Sequence, residues 1–177
     1  MARIDPEHEA ARVLREHGST RPPVPVERIA RDMGVRVAFE PFEGEVAGML
    51  FQHPDDGQVV IVVNSASAKT RQRFSVAHEV GHLRLHERPI YVDRPVNVRF
   101  RDERSSLAID HEEIAANRFA AALLMPEDWL LSDVERRIAR QAQLSDEAFV
   151  EDLARRYEVS RQAMEFRLAN LGLWTPL

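Results

Sequence analysis

The sequence predicts an α+β fold, in which a small antiparallel sheet of about three strands packs against helices and a helical pair closes the chain. Two observations support this prediction. The short β-branched segments fall between residues 35 and 63, where they alternate or run continuously as buried and half-buried strands do. Beyond residue 68, apolar residues recur at i, i+3, i+4 and i+7, which is the period of a helix with one buried face.

Two short helices are expected first. The segment 5–18 is amphipathic and ends at Gly18, and a second helix at about 26–33 ends at Gly34. Glycine commonly follows the last helical residue because it adopts the left-handed conformation needed there. A proline-rich stretch separates the two segments.

Three strands follow the helices. They are predicted at residues 35–39, about 46–52 and 58–63, and the last is a β-branched run typical of a central strand. The turn Asp55-Asp56-Gly57 separates the last two.

The rest of the chain is predicted to be helical. One helix spans 68–86, and prolines then mark an irregular connection from 89 to about 106. Helix 109–125 is followed by a fresh helix start at Pro126, and a final helical pair is expected at 145–157 and 161–171. We therefore assign residues 1–143 to one domain and 144–177 to a C-terminal helical pair that packs on it.

The composition restricts the class of protein. No apolar run reaches the length of a membrane span, and the start lacks the pattern of a secretory signal. The absence of cysteine excludes disulfides and thiolate metal ligands, so a cytoplasmic location is expected. A net charge of −5 argues against direct nucleic-acid binding.

The segment His78-Glu79-Val80-Gly81-His82 reads H-E-x-x-H within a predicted helix. Residues four apart share one helix face, so His78 and His82 can bind a single Zn²⁺, with Glu79 beside them as a candidate general base. A ligand set of histidine and carboxylate also favours a catalytic metal over a closed structural one.

A catalytic zinc usually has three protein ligands, so a third is expected downstream. Glu113 lies on a small, apolar helical stripe with Asn117, Ala120 and Leu124, and a carboxylate on such a stripe requires a partner. Glu112, His111 and a structural salt bridge remain alternatives at this point.

Two separated segments resemble the ImmA/IrrE family of metallopeptidases. They are FSVAHEVGHLRLH at 74–86 and EEIAANRFAAALLMP at 112–126, and the closing VSRQAMEFRLANLGL at 159–173 is similar as well. The resemblance extends over about 25–173.

The resemblance implies a zincin-like helical core with one catalytic Zn²⁺ held by His78, His82 and Glu113, and Glu79 as the catalytic glutamate. It further implies a regulatory endopeptidase that cleaves a protein substrate, a helix–turn–helix transcriptional repressor, in a stress or mobile-element response.

Other residues are weaker candidates for the site. Asn117 is either a partner of a metal ligand or a polar residue at a helix contact, and His111 and Tyr91 are candidates for oxyanion stabilisation or simply exposed side chains. Gly81 has a structural interpretation, in which a missing side chain lets another helix approach.

Two alternative functions remain. One is a zinc-containing module that sequesters a repressor without cleaving it, although an intact Glu79 argues for catalysis. The other is DNA binding through the C-terminal pair, because its sequence pattern of two helices separated by a short turn resembles a helix–turn–helix. Residues 149–171 contain four acidic and four arginine residues, however, so the pair lacks the positive charge of a DNA-reading element.

Overall fold

The computed structural model describes residues 4–42, 47–52, 56–85, 103–139 and 147–173. Within these ranges, helices and a three-stranded sheet follow in the order α1 Pro6–Glu16, α2 Val26–Asp32, β1 Arg36–Glu40, β2 Gly48–Gln52, β3 Val59–Asn64, α3 Lys69–Leu85, α4 Glu103–Leu124, α5 Glu127–Ala139, α6 Glu147–Tyr157 and α7 Arg161–Asn170. The predicted α+β class is confirmed. No helix of the described residues is long and apolar enough to cross a membrane.

The sheet is mixed, not antiparallel as predicted. Its order is β1-β3-β2, with β2 antiparallel and β1 parallel to the central strand β3. The prediction is right for the β2–β3 pair and wrong for β1. The error has a physical cause, because the chain leaves β1 and returns on the far side of β3, so that β1 and β3 run in the same direction.

Asn64 at the end of β3 holds this crossover. Its side-chain Nδ2 donates to the carbonyl oxygen of Phe42, and its Oδ1 accepts from the backbone N–H of Phe42, both at 3.3 Å. Its own backbone N–H donates to the carbonyl oxygen of Ala47. Asn64 therefore holds Phe42 and Ala47, the residues on either side of the connection from β1 to β2, close to the end of β3.

Helices α3 and α4 pack closely around Gly81. A Cβ atom added there would lie 3.0 Å from Phe119 Cδ1 and 3.2 Å from the carbonyl oxygen of Ala116. The missing side chain thus lets the two backbones approach, as the sequence indicated, and brings the H-E-x-x-H segment of α3 against the middle of α4.

Arginines from two distant helices hold α1 in place. Arg84 of α3 donates to Glu9 and Glu16, while the buried Arg167 of α7 makes two hydrogen bonds to the carboxylate of Glu7, at 2.7 and 2.8 Å. Arg167 also donates to the carbonyl oxygen of Met125. The first and last described helices are therefore in direct contact.

The C-terminal pair has a core contact of its own. Tyr157 of α6 is fully buried and donates to Asp133 of α5 at 2.9 Å. Ser160 caps α7 by accepting from the backbone N–H of Ala163, and the short turn before it contains Glu158 in the left-handed region, at φ 53°.

One helix boundary differs clearly from the prediction. Helix α4 begins at Glu103, so residues 103–106, expected to belong to an irregular connection, are helical. The prolines that suggested the connection, Pro89 and Pro95, lie outside the described residues, as does His86 at the predicted end of α3.

Candidate metal centre

The two motif histidines lie one turn apart on the same face of α3. Their Nε2 atoms are 3.0 Å apart, and the rings meet nearly edge to face, with centroids 4.6 Å apart. Two ring nitrogens at this distance repel each other unless a proton or a cation lies between them, because each carries either a lone pair or a hydrogen. The arrangement therefore presents two donors to a common point.

Glu113 of α4 reaches the same point from the opposite side. Its Oε2 lies 3.2 Å from His78 Nε2, and its Oε1 lies 3.2 Å from His82 Nε2. The three side chains form a group that could hold a metal ion. The competing candidates Glu112 and His111 are exposed on α4 and are not part of this group.

The spacing of the donor atoms fits a tetrahedral metal ion. Ligands about 2.1 Å from Zn²⁺ at tetrahedral angles are roughly 3.4 Å apart. The two histidine nitrogens are 3.0 Å apart, and each lies 3.2 Å from one oxygen of Glu113, which is close to this value. Two histidines and one carboxylate also leave one position for water, as in catalytic zinc sites.

Asn117 orients the first histidine. Its Oδ1 lies 3.1 Å from His78 Nδ1. An amide oxygen can only accept, so Nδ1 carries a hydrogen, and Nε2 is the ring nitrogen available to bind a metal ion. Of the two interpretations of Asn117, the structure favours the partner of a ligand over a polar residue that merely fills a helix contact.

The Glu113 carboxylate and the His78 ring influence each other's pKa values. Hydrogen bonds from His78 and His82 hold the pKa of Glu113 far below its usual range. Burial opposes protonation of His78, but the hydrogen bond with Glu113 and the nearby carboxylates outweigh it and raise the pKa of that ring. The carboxylate therefore stays ionised, which is the form that binds a metal ion.

Glu79 projects from α3 beside the group and is only 7% exposed. Burial raises the pKa of its carboxyl, partly offset by the two histidines. A carboxylate whose affinity for a proton is increased in this way suits a general base that must also return the proton.

Gly48 is a site feature that the sequence analysis missed. A Cβ added to it would lie 3.2 Å from Ser75 Cβ and 3.6 Å from Glu79 Oε1. The backbone at the start of β2 is therefore in near contact with the candidate base. The available signal was a glycine inside an otherwise apolar strand, which often marks a close approach.

Of the two candidates for oxyanion stabilisation, the structure describes only His111. His111 is exposed on α4, two residues before Glu113, and Tyr91 lies outside the described residues. Arg73 has a structural role, because its guanidinium donates to the carbonyl oxygens of Val24 and Glu158.

Comparison with known proteins agrees with this geometry. Residues 30–169 match the model of the family Peptidase_M78, described as the IrrE N-terminal-like domain. The matched segment contains all four residues of the candidate centre.

Two curated proteins are similar over part of the chain. The radiation response metalloprotease IrrE of Deinococcus radiodurans is 34% identical over 110 residues, which cover 62% of this chain and 30% of that protein. The immunity region protein 2 of Bacillus phage phi105 is 37% identical over 84 residues, 48% of each. The chain thus matches less than half the length of either relative.

A solved structure shares the fold. A transcriptional regulator of Mycobacterium tuberculosis superposes with a TM-score of 0.60 at 19% identity, over 93% of this chain and 46% of that one. At this identity the likeness concerns the fold alone.

Proposed function

Because the chain belongs to the ImmA/IrrE family of metallopeptidases, we propose that it is a zinc-dependent endopeptidase that cleaves a protein substrate. One observation carries the proposal. His78, His82 and Glu113 direct three donor atoms at one point, and the buried Glu79 lies beside them. A metal site without catalysis would not need a carboxylate at position 79.

The chain's own residues divide the chemistry between them. His78, His82 and Glu113 would hold the zinc ion, which when bound polarises the scissile carbonyl and lowers the pKa of water. Glu79 would take the proton of the attacking water and deliver it to the leaving amine. Asn117 keeps His78 in the tautomer that binds metal.

The edge of the sheet offers a place for an extended substrate. Strand β2 pairs with β3 on one side only among the described strands. Its first residue, Gly48, lies near the Glu79 carboxylate. A substrate segment that adds to β2 as a further strand would pass the candidate base, and edge addition is a common way to bind extended peptides.

The proposed substrate is a helix–turn–helix transcriptional repressor, and the proposed setting is a cytoplasmic stress or mobile-element response. The support is the family together with the names of the two relatives, one a radiation response metalloprotease and the other a phage immunity region protein. Selective cleavage of one regulatory protein is the activity that this setting requires.

The test compares the zinc-loaded protein with its Glu79→Gln variant. The repressor encoded nearest to the gene is the probe, and its fragments are measured by mass spectrometry. The wild type should cut at a defined bond and lose this activity when zinc is removed. Glu79→Gln should keep one zinc ion per chain but leave the repressor intact.

Two results would contradict the proposal. If Glu79→Gln relieved repression as fully as the wild type, the protein would act by sequestering its partner. If the protein bound its own promoter region in a salt-sensitive way without cutting the repressor, the C-terminal pair would be a DNA-binding element.

A further inference from the structure

An apolar pocket lies between α3, α4 and α7. Its volume is about 480 Å³, within the range of ligand-binding cavities. Phe74 of α3, Ala121 of α4 and Met125 just beyond it line one side, and Ala163 and Phe166 of α7 line the other. The side chain of Phe166 is 62% exposed among the described residues, which is unusual for so large an apolar side chain.

The pocket lies one helical turn from the candidate metal centre. Phe74 precedes His78 by four residues, and Ala121 follows Asn117 by four, so each lies one turn from the centre on the same helix face. The His78–Asn117 contact shows that these two faces meet. The pocket residues of α3 and α4 are therefore about 6 Å from His78 and Asn117 along each helix.

The chemistry of the lining favours an apolar occupant. Two arginines, Arg71 and Arg167, line the pocket, and the buried guanidinium of Arg167 is already bound to Glu7 and to the carbonyl oxygen of Met125. It has no need of an anionic ligand. The remaining surface is mostly aromatic and aliphatic carbon, which gains free energy when water leaves it.

We propose that this pocket is a specificity subsite that binds a large apolar side chain of the polypeptide substrate, and that α7 forms its outer wall. The inference rests on the proposed function. An extended chain rises about 3.3 Å per residue, so the side chain that enters belongs to a residue one or two positions from the scissile bond. In this proposal the helix–turn–helix-like pair of α6 and α7 contributes to substrate selection and does not bind DNA.

The test measures binding and needs no turnover. The probes are peptide hydroxamates, which bind zinc through the hydroxamate and differ only in one neighbouring side chain: glycine, leucine or phenylalanine. The zinc-loaded protein should bind the leucine and phenylalanine probes about tenfold to a hundredfold more tightly than the glycine probe, because burial of such a side chain is worth that factor. Isothermal titration calorimetry gives the affinities.

Variants locate the preference in the pocket. Ala163→Phe, which fills the cavity, should abolish the preference for large side chains, and Phe166→Ala should weaken it. Ile138→Ala is the matched control, since Ile138 is another exposed apolar residue, on α5 and outside the pocket lining, and its loss should leave the preference as it is. Zinc content and thermal unfolding verify that each variant folds. If Ala163→Phe does not fold, the Phe166→Ala variant alone tests the pocket, because Phe166 is exposed and its removal should not disturb the fold.

The outcomes separate this inference from the proposed function. Equal affinity for the three probes, or a preference that both pocket variants retain, would overturn the subsite while the zinc centre stands. Failure of every hydroxamate to bind would overturn the zinc centre, and the subsite with it. A side-chain preference that Ala163→Phe removes supports the subsite whether or not the chosen repressor is cut.

Discussion

Asn117 of α4 accepts a hydrogen bond from the ring of His78 on α3, with 3.1 Å between Oδ1 and Nδ1. The contact joins the two helices that supply the metal ligands, at the level of the ligands themselves. It restricts the tautomer and the rotation of this histidine, so we expect the affinity of the proposed centre for metal to depend on a residue that is not itself a ligand.

Removal of this amide should weaken zinc binding. Asn117→Ala is expected to lower zinc affinity by roughly tenfold to a hundredfold, since partners of metal-binding histidines typically have effects of that size. Asn117→Asp should retain the affinity, because a carboxylate also accepts from Nδ1. Competition with a chelator of known affinity measures both. Equal affinities in the wild type and Asn117→Ala would show that the amide only fills space.

The choice of Glu113 over its neighbour can be tested directly. Glu113→Ala should abolish stoichiometric zinc, because two histidines alone leave the site one ligand short. Glu112→Ala is the matched control, since it removes an exposed carboxylate one position away and should retain one zinc ion per chain. Metal analysis after dialysis distinguishes the two. A loss of zinc in the control alone would assign the third ligand to Glu112.

Gly81 should resist even the smallest side chain. Alanine normally stabilises a helix relative to glycine, by up to about 1 kcal/mol. Here its Cβ would press on Phe119 and on the backbone of Ala116, so Gly81→Ala is expected to lower the free energy of unfolding by about 1–3 kcal/mol.

Chemical denaturation measures this loss, and zinc affinity should fall with it because α4 carries Glu113. A second change, Phe119→Leu, removes the ring contact but not the backbone contact with Ala116. The double variant should therefore recover only part of the loss. An increase in stability on Gly81→Ala would show that the helices have room to spare.

Tyr157 should make the fold sensitive to alkali. Burial, reinforced by the hydrogen bond to Asp133, raises the pKa of this phenol well above its usual range. The folded state therefore keeps the proton, whereas the unfolded chain releases it near pH 10. The contribution to stability is complete below that pH and is lost as the pH rises further.

Near-ultraviolet absorbance of tyrosinate follows this transition. The chain has two tyrosines, Tyr91 and Tyr157, and Tyr157 should ionise only as the protein unfolds. Tyr157→Phe should be less stable at neutral pH by about 1 kcal/mol, from loss of the hydrogen bond, and its stability should depend less steeply on alkaline pH. A full tyrosinate signal from the folded protein would contradict the assignment.

The helices, the strands and the H-E-x-x-H segment of the candidate site could be predicted from the sequence, because each depends on a local pattern of residues. Gly18 and Gly34 end helices or follow them closely, and both have positive φ. The stripe that begins at Glu113 indicated a carboxylate that requires a partner, and the structure places its two oxygens 3.2 Å from His78 and His82.

What could not be predicted depends on contacts between distant segments. The parallel pairing of β1 with β3 follows from the crossover that Asn64 holds, and no pairing direction is visible in the strands themselves. The approach of Gly48 to Glu79 and of α7 to α3 and α4 are likewise tertiary, because each joins segments that are far apart in sequence.

The contact between Arg167 and Glu7 has a consequence for biosynthesis. The two residues are 160 positions apart, so α1 cannot complete its contacts until α7 has been synthesised. Until then α1 lacks Arg167, and the pocket between α3, α4 and α7 lacks its outer wall. A nascent chain that already contains all three candidate metal ligands would thus still lack one wall of the proposed subsite, and selectivity would be acquired only once α7 has docked.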